Sequence, residues 1–146
     1  PTLREYWQGG DPSRREALGL YPEPGMREQD AHRREGERAG LLRLFAEAGL
    51  GSPDSGDVDQ CIATLHATIA SSRSMLAAAQ LDDVLGEGEP VNIRGTYREY
   101  PNWRRKLSLE IEEILSDPRW TRLVADMQAH GRGPGIRQTG DRACPG

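Results

Sequence analysis

Side chains that suit a carbohydrate are concentrated between Glu89 and Leu107. The segment holds two asparagines and three aromatic residues, namely Asn92, Tyr97, Tyr100, Asn102 and Trp103. Amide groups donate and accept hydrogen bonds, as sugar hydroxyls do, and aromatic faces cover the apolar C–H face of a pyranose. Its prolines and its glycine disfavour a helix before Asn102, so these groups stand on a loop. The pattern fits either a sugar-binding surface or an ordinary connection anchored by a tryptophan.

Carboxylates, histidines and cysteines elsewhere form no catalytic or metal-binding pattern. Retaining glycosyl transfer needs two carboxylates that flank one bond. Asp82 and Asp83 point to opposite faces of a strand, or diverge by about 100° on a helix, so they are predicted to be capping or surface residues. The three histidines are far apart in sequence, and Cys61 has no identifiable base partner. We therefore predict no catalytic residue and no metal site.

Composition excludes several classes of partner. The 146 residues carry 19 Lys and Arg against 23 Asp and Glu, a formal net charge of -4, and no basic face is available for nucleic acid. No apolar run approaches the roughly 20 residues that span a bilayer. Cys61 and Cys144 lie in different sequence contexts, which argues against a disulfide framework. A reducing cytoplasm is the expected location.

Helical periodicity recurs along most of the chain, with Gly and Pro between the periodic segments. The residues from Gly131 to Gly146 lack such a pattern and are predicted to be a disordered tail, which leaves 1–130 as one structured unit. Five helices are predicted: one that Asp11 caps and that ends at about Leu18, one from about Met26 to Ala48, one that Asp57 caps and whose apolar face is Val58, Ile62, Leu65 and Ile69, one carrying Leu107, Ile111, Ile114 and Leu115, and one capped by Asp117.

Two blocks resemble the 4-α-glucanotransferases (amylomaltases, or disproportionating enzymes). The segment from Glu89 to Leu107 is similar to the family pattern E-P-V-N-I-P-G-T followed by Y-x-N-W-R-R-K-L. The segment from Pro1 to Asp11, with L-G-L-Y-P after it, resembles D-x-P-T-L-x-x-Y-W-x-x-x-D and L-G-L-Y-P. The resemblance implies a mostly α chain that forms the C-terminal part of a (β/α)8 TIM-type barrel. Met75 to Ala79 would be the last strand, surrounded by the helices.

The resemblance also implies an activity. The family is a group of glycosyltransferases that move α-1,4-glucan segments between maltooligosaccharides by a retaining double displacement and use no cofactor. The aspartate of D-x-P-T would fall just before Pro1, so the chain is expected to be a fragment without the catalytic carboxylates, inactive alone, whose partner is the missing N-terminal part of the same enzyme. The alternative is a non-catalytic helical interaction module.

The same motifs assign candidate substrate-binding residues. The asparagine of the family's N-W-R faces the glucan cleft, which implies that role for Asn102, with Trp103 as its buttress. Asn92, Tyr97 and Tyr100 are further candidates. Trp7 is also a candidate for the sugar wall, with a place in the core as the open alternative. Arg94 stands where the family pattern has proline, which frees φ at that position.

Overall fold

The structure, a computed structural model, describes residues 1–133, and the predicted tail from residue 134 onward lies outside that range. Seven helices occur in the described part. None of them has the length and apolar character needed to cross a membrane. The helices are α1 (Leu3–Gln8), α2 (Asp11–Ala17), α3 (Met26–Glu47), α4 (Val58–Ser71), α5 (Leu81–Val84), α6 (Ile111–Ile114) and α7 (Pro118–Ala129).

Four of the predicted helices are confirmed as α2, α3, α4 and α7. The carboxylate of Asp57 accepts a hydrogen bond from the Gln60 N–H at 3.0 Å, and Asp117 caps α7 in the same way. The predicted cap at Asp11 is wrong. Asp11 is the first helical residue, and its buried carboxylate lies 2.5 Å from the Arg34 guanidinium, so it joins α2 to α3.

Helix α1 was not predicted from the sequence. Its six residues are too few to show a helical period, and its start signal is a single threonine. The hydroxyl of Thr2 accepts a hydrogen bond from the Glu5 N–H at 3.2 Å, and Gly9 ends the helix in the left-handed conformation at φ 71°. Burial of Trp7 then holds this short helix against its neighbours.

The predicted helix through Leu107 is shorter than its apolar pattern indicated. Only Ile111–Ile114 is helical, and the Ile111 side chain is 74% exposed. The cause is a competing set of polar contacts, because the carboxylate of Glu87 accepts the Ser108 N–H at 2.7 Å and also binds Arg105. Those bonds hold the preceding residues in an irregular conformation, so the helix starts late.

Met75 to Ala79, the predicted last strand, is not a strand in the structure. Within residues 1–133 these five residues form no backbone–backbone hydrogen bond, and no strand of any kind is present there. Met75 is 96% exposed and Leu76 is 87% exposed. A strand needs backbone partners on a neighbouring segment. No described residue offers them, so the segment remains irregular.

The hydrophobic core lies where α1, α3 and α4 meet. Trp7, Phe45, Cys61 and Ile62 are each at most 5% exposed, and partly buried side chains from the same helices pack around them. Helix α4 is the central element, since it contacts α1, α3, α5 and α7. This packed body carries the long irregular segment between α5 and α6.

Candidate carbohydrate-binding loop

Residues 90–105, referred to below as loop 90–105, contain the sugar-binding candidates except Trp7. The Asn102 amide organises the loop from inside. Its Oδ1 accepts the Ile93 N–H at 2.8 Å, and its Nδ2 donates to the Thr96 carbonyl at 3.2 Å and to the Thr96 hydroxyl at 2.9 Å. Both N–H groups of the amide are thereby used, so Asn102 shapes the loop and keeps only acceptor capacity for a ligand.

The two ends of the loop are tied together by further hydrogen bonds. The Tyr100 hydroxyl donates to the Pro90 carbonyl at 2.6 Å, and the Trp103 N–H donates to the Val91 carbonyl at 2.8 Å. Burial raises the pKa of Tyr100, and nearby Glu89 adds to that shift. The Tyr100 hydroxyl therefore stays protonated and serves the backbone.

Two aromatic rings project from this frame. Tyr97 is 85% exposed and Trp103 is 73% exposed. Trp103 has φ 63°, and within the described residues it is the only non-glycine residue with positive φ. That conformation costs of order 1 kcal/mol or more for a bulky residue, and it is held here by the bond to Val91. The expectation that Trp103 buttresses Asn102 is wrong, because the backbone turns the indole outward.

The loop encloses an open concavity of about 500 Å³. Tyrosine, arginine and amide groups converge on it, as sugar recognition requires. The Glu99 carboxylate does not enter this set, since it accepts the N–H groups of Tyr97 at 2.8 Å and Arg98 at 3.0 Å, and these bonds lower its pKa. The lining residues are Tyr97, Arg98, Tyr100, Pro101, Asn102 and Arg104.

Ion pairs attach the loop to the helical body. Arg105 lies 3.0 Å from Asp82 and 2.9 Å from Glu87. Although burial opposes it, hydrogen bonding from Ser108 and the charge of Arg105 lower the pKa of Glu87. Nothing in the sequence marked these partners, because pairing across 18 residues or more leaves no local pattern.

The remaining candidates lie outside the concavity. Trp7 is 2% exposed and packs against Tyr6 at 5.8 Å and Phe45 at 6.3 Å between ring centroids, so of its two open roles the structure shows the core. Asn92 is exposed and forms no hydrogen bond with a described residue. It is free to meet a ligand from the loop's edge.

The paired aspartates serve the framework. Asp82 binds Arg105, and Asp83 Oδ1 accepts the Leu3 N–H at 2.6 Å, which fixes the start of α1. Burial raises the pKa of Asp83, and the bond from Leu3 opposes that shift. Across the described part of the chain no group of His, Cys, Asp and Glu side chains is arranged to hold a metal ion.

Comparison with known proteins gives the family. A family model described as 4-alpha-glucanotransferase matches residues 1–111. This chain belongs to the 4-alpha-glucanotransferase family. The matched region contains α1, the core and loop 90–105, so the observations on the loop apply to a family segment.

Individual relatives support the same family assignment. A 4-alpha-glucanotransferase of Mycobacterium tuberculosis (strain H37Rv) is 30% identical over 144 residues, which is 92% of this chain and 19% of the relative. One of Haemophilus influenzae is 27% identical over 123 residues, 80% of this chain and 18% of the relative. The chain thus spans about a fifth of the length of the curated relatives it matches.

Proposed function

We propose that this chain supplies a glucan-binding wall to a 4-alpha-glucanotransferase that moves α-1,4-glucan segments between maltooligosaccharides. The observation that carries the proposal is the construction of loop 90–105. Asn102, Tyr100 and Arg105 hold the loop in one shape, while Tyr97 and Trp103 remain exposed. An exposed aromatic face on a preorganised frame is suited to a pyranose, because little ordering remains to be done on binding.

The carboxylates that would form and break a glycosyl-enzyme are proposed to come from other parts of the enzyme. Asp82 and Asp83, the adjacent pair nearest the loop, are committed to Arg105 and Leu3. Glu87 and Glu99 are likewise bound to backbone N–H groups of the loop region. None of these four is placed to act as a nucleophile opposite an acid/base partner. The chain alone is therefore proposed to be inactive, and the family resemblance supports the proposal that the reaction needs no cofactor.

The wider architecture is also a proposal. Residues 1–130 would form the C-terminal portion of a catalytic barrel in the cytoplasm, completed by an N-terminal part of the same enzyme. Support comes from the exposure of Met75 and Leu76, since a barrel strand buries such side chains only when both neighbouring strands are present. The residues after 130 are proposed to stay outside the barrel.

Binding of maltotriose to the isolated chain tests the central claim. We expect amide resonances of loop 90–105 to shift with maltotriose and not with cellotriose, whose β-1,4 linkage presents a different shape. Replacing Tyr97 by alanine should weaken binding roughly 2- to 13-fold, the range for one aromatic contact. Leu115→Ala is the matched control, because Leu115 is 66% exposed and lies outside the loop.

The alternative function, a non-catalytic helical interaction module, gives the opposite results. It predicts no shift with either trisaccharide and no effect of Tyr97→Ala. Incubation of the chain with maltotriose, followed by chromatography, tests the absence of catalysis. Formation of glucose and longer maltooligosaccharides would show that a carboxylate of this chain takes part in the reaction.

A further inference from the structure

Loop 90–105 and the adjacent Lys106 are positively charged, although the protein as a whole is negatively charged. The chain has a formal net charge of -4, yet residues 94–106 hold five cationic side chains and one carboxylate, Glu99. Arg105 is neutralised by Asp82 and Glu87. The four others are Arg94, Arg98, Arg104 and Lys106.

None of the four has a partner within residues 1–133. The four side chains are exposed and form neither an ion pair nor a hydrogen bond there. Several arginines elsewhere are paired, since Arg14 and Arg34, for example, bind the buried carboxylates of Glu5 and Asp11, although Arg43 and Arg73 are exposed and likewise form no ion pair or hydrogen bond with a described residue. A guanidinium without a carboxylate partner retains its full capacity for an anion.

Two of the four also line the proposed sugar site. Arg98 and Arg104 line the same concavity as Tyr97 and Asn102. Glu99 is the nearest carboxylate in sequence, but two backbone N–H groups already hold its Oε2. The concavity thus combines an aromatic face, an amide acceptor and two unpaired guanidinium groups, and a neutral sugar would leave the two positive charges uncompensated.

We propose that this concavity takes an anionic saccharide, a glucan unit that carries a phosphate monoester. This inference rests on the proposed glucan-binding function and narrows it to a substrate class. The sugar ring meets Tyr97, and the phosphate meets Arg98 and Arg104, whose planar guanidinium groups match phosphate oxygens in pairs. Arg94 adds a third exposed positive charge on the same loop.

Titrations of the 146-residue chain with three probes test this inference: maltotriose, maltotriose with one phosphate monoester on a C6 hydroxyl, and inorganic phosphate. The readout is the amide spectrum of the loop. At low salt we expect the phosphorylated trisaccharide to bind roughly 2- to 30-fold more tightly than maltotriose, the range for two exposed ion pairs. At 1 M NaCl, where the screening length is about 3 Å, this advantage should disappear.

Variants locate the effect. Arg98→Gln and Arg104→Gln should each remove part of the advantage, so that the ratio of the affinities for phosphorylated and unphosphorylated maltotriose falls in each variant. Arg73→Gln is the matched control, because Arg73 is also exposed, forms no ion pair or hydrogen bond with a described residue, and lies outside the loop. Both loop variants replace exposed side chains without hydrogen bonds to described residues, and the salt titration of the unmodified chain decides the matter even if a variant is misfolded.

The outcomes separate this inference from the proposed function. Equal affinity for the two trisaccharides overturns the anionic-saccharide inference and leaves glucan binding supported. Inorganic phosphate that binds as tightly as the phosphorylated trisaccharide also overturns it, since the loop would then be a general anion site. If neither trisaccharide shifts the loop, both proposals are wrong.

Discussion

The core around Trp7 and loop 90–105 are held together in opposite ways. In the core, Phe45 and Cys61 are 0% exposed, and cohesion comes from apolar burial between helices. In the loop no side chain from 91 to 105 is buried, and cohesion comes from hydrogen bonds made by Asn102 and Tyr100 and from ion pairs of Arg105. One region is stabilised by surface removed from water, the other by directed polar contacts.

This difference decides what each region can do. Apolar contacts carry little directional information, so the core tolerates shape changes of similar volume but not the loss of volume. Hydrogen bonds fix positions, which allows the loop to hold Tyr97 and Trp103 outward without a core of its own. The loop can therefore be reshaped by the removal of a single polar group while the helical body remains folded.

The largest effect is expected from the core. Phe45→Ala removes a fully buried ring beside Trp7 and Ile62 and should lower the free energy of unfolding by about 3–5 kcal/mol. Urea denaturation followed by circular dichroism measures this change. Leu44→Ala is the matched control on the same helix, since Leu44 is 44% exposed and should cost under about 1 kcal/mol. Similar losses for the two variants would contradict the assignment of the core.

Asn102→Ala should break the loop and spare the core. Three hydrogen bonds are lost at a net cost of about 0.5–1.5 kcal/mol each, reduced because water reaches this half-buried site. We expect the Ile93 amide hydrogen to exchange about 10- to 100-fold faster, while amides of α4 are unchanged. Asn92→Ala is the control, because Asn92 is exposed and forms no hydrogen bond with a described residue. Unaltered Ile93 exchange would mean that other contacts shape the loop.

Asp117 combines the two modes, since a polar cap starts a helix that packs on α4. Its carboxylate accepts the Arg119 N–H at 2.8 Å, so Asp117→Ala should cost about 1 kcal/mol. Hydrogen bonding from the Arg119 side chain is the main cause that lowers the pKa of Asp117 from 3.8 to about 2. A lowered pKa stabilises the folded state above pH 4, and this contribution is lost as the pH falls through 2.

Asp117→Asn sharpens the same test. Asparagine preserves the cap but carries no charge, so at pH 7 the variant should keep most of the stability that alanine loses. The stability of the parent chain should fall relative to the Asn variant between pH 4 and pH 2, as judged by melting temperature. A constant difference across this interval would show that the carboxylate charge is not involved.

Local signals predicted the helical body and the presence of a loop before Asn102, but not the contacts that hold this loop in shape. Helix α4 followed from Asp57 and the spacing of Val58, Ile62 and Leu65, because caps and periodicity are written in adjacent residues. Asn102 was identified as important from its motif, but its hydrogen bonds to Ile93 and Thr96 depend on the fold of the loop. The sequence can therefore identify the side chains that matter in such a site, but not the groups to which they form hydrogen bonds.

The errors have the same origin. Leu107 and Ile111 have helical spacing, yet Glu87 binds the Ser108 N–H from 21 positions away and prevents a helix there. Met75 to Ala79 read as a strand only through the family resemblance, and the described residues supply no strand beside it. The conformation of each segment depends on the presence or absence of contacts with residues distant in sequence. Periodicity in a single sequence contains no information on such contacts.

The smallest effect on stability is expected from the protonation of His66, at the edge of the packed helices. His66 on α4 is 5% exposed and lies beside a cavity of about 220 Å³ between α4, α5 and α7. Burial lowers its pKa below 6.5, and the carboxylates of Asp83 on α5 and Asp126 on α7 offset part of that shift. A histidine with a lowered pKa binds fewer protons when folded than when unfolded, so it destabilises the fold as the pH falls below 6.5.

Asp83 acts in the opposite direction at lower pH. Burial raises its pKa above 3.8, so its protonation on acidification favours the folded state.

Between pH 7.5 and pH 5.5 the effect of His66 should dominate that of Asp83, and the parent chain should lose stability relative to His66→Leu. The His66 imidazole resonance should titrate at a lower pH than a free imidazole. Ile93 amide exchange should keep the same protection against local opening throughout, because Glu99 in the loop and Glu87, which binds Arg105, have lowered pKa values and stay ionised. A loss of that protection over this interval would mean that the loop and the core are coupled, and the contrast between directed and apolar cohesion would no longer separate them.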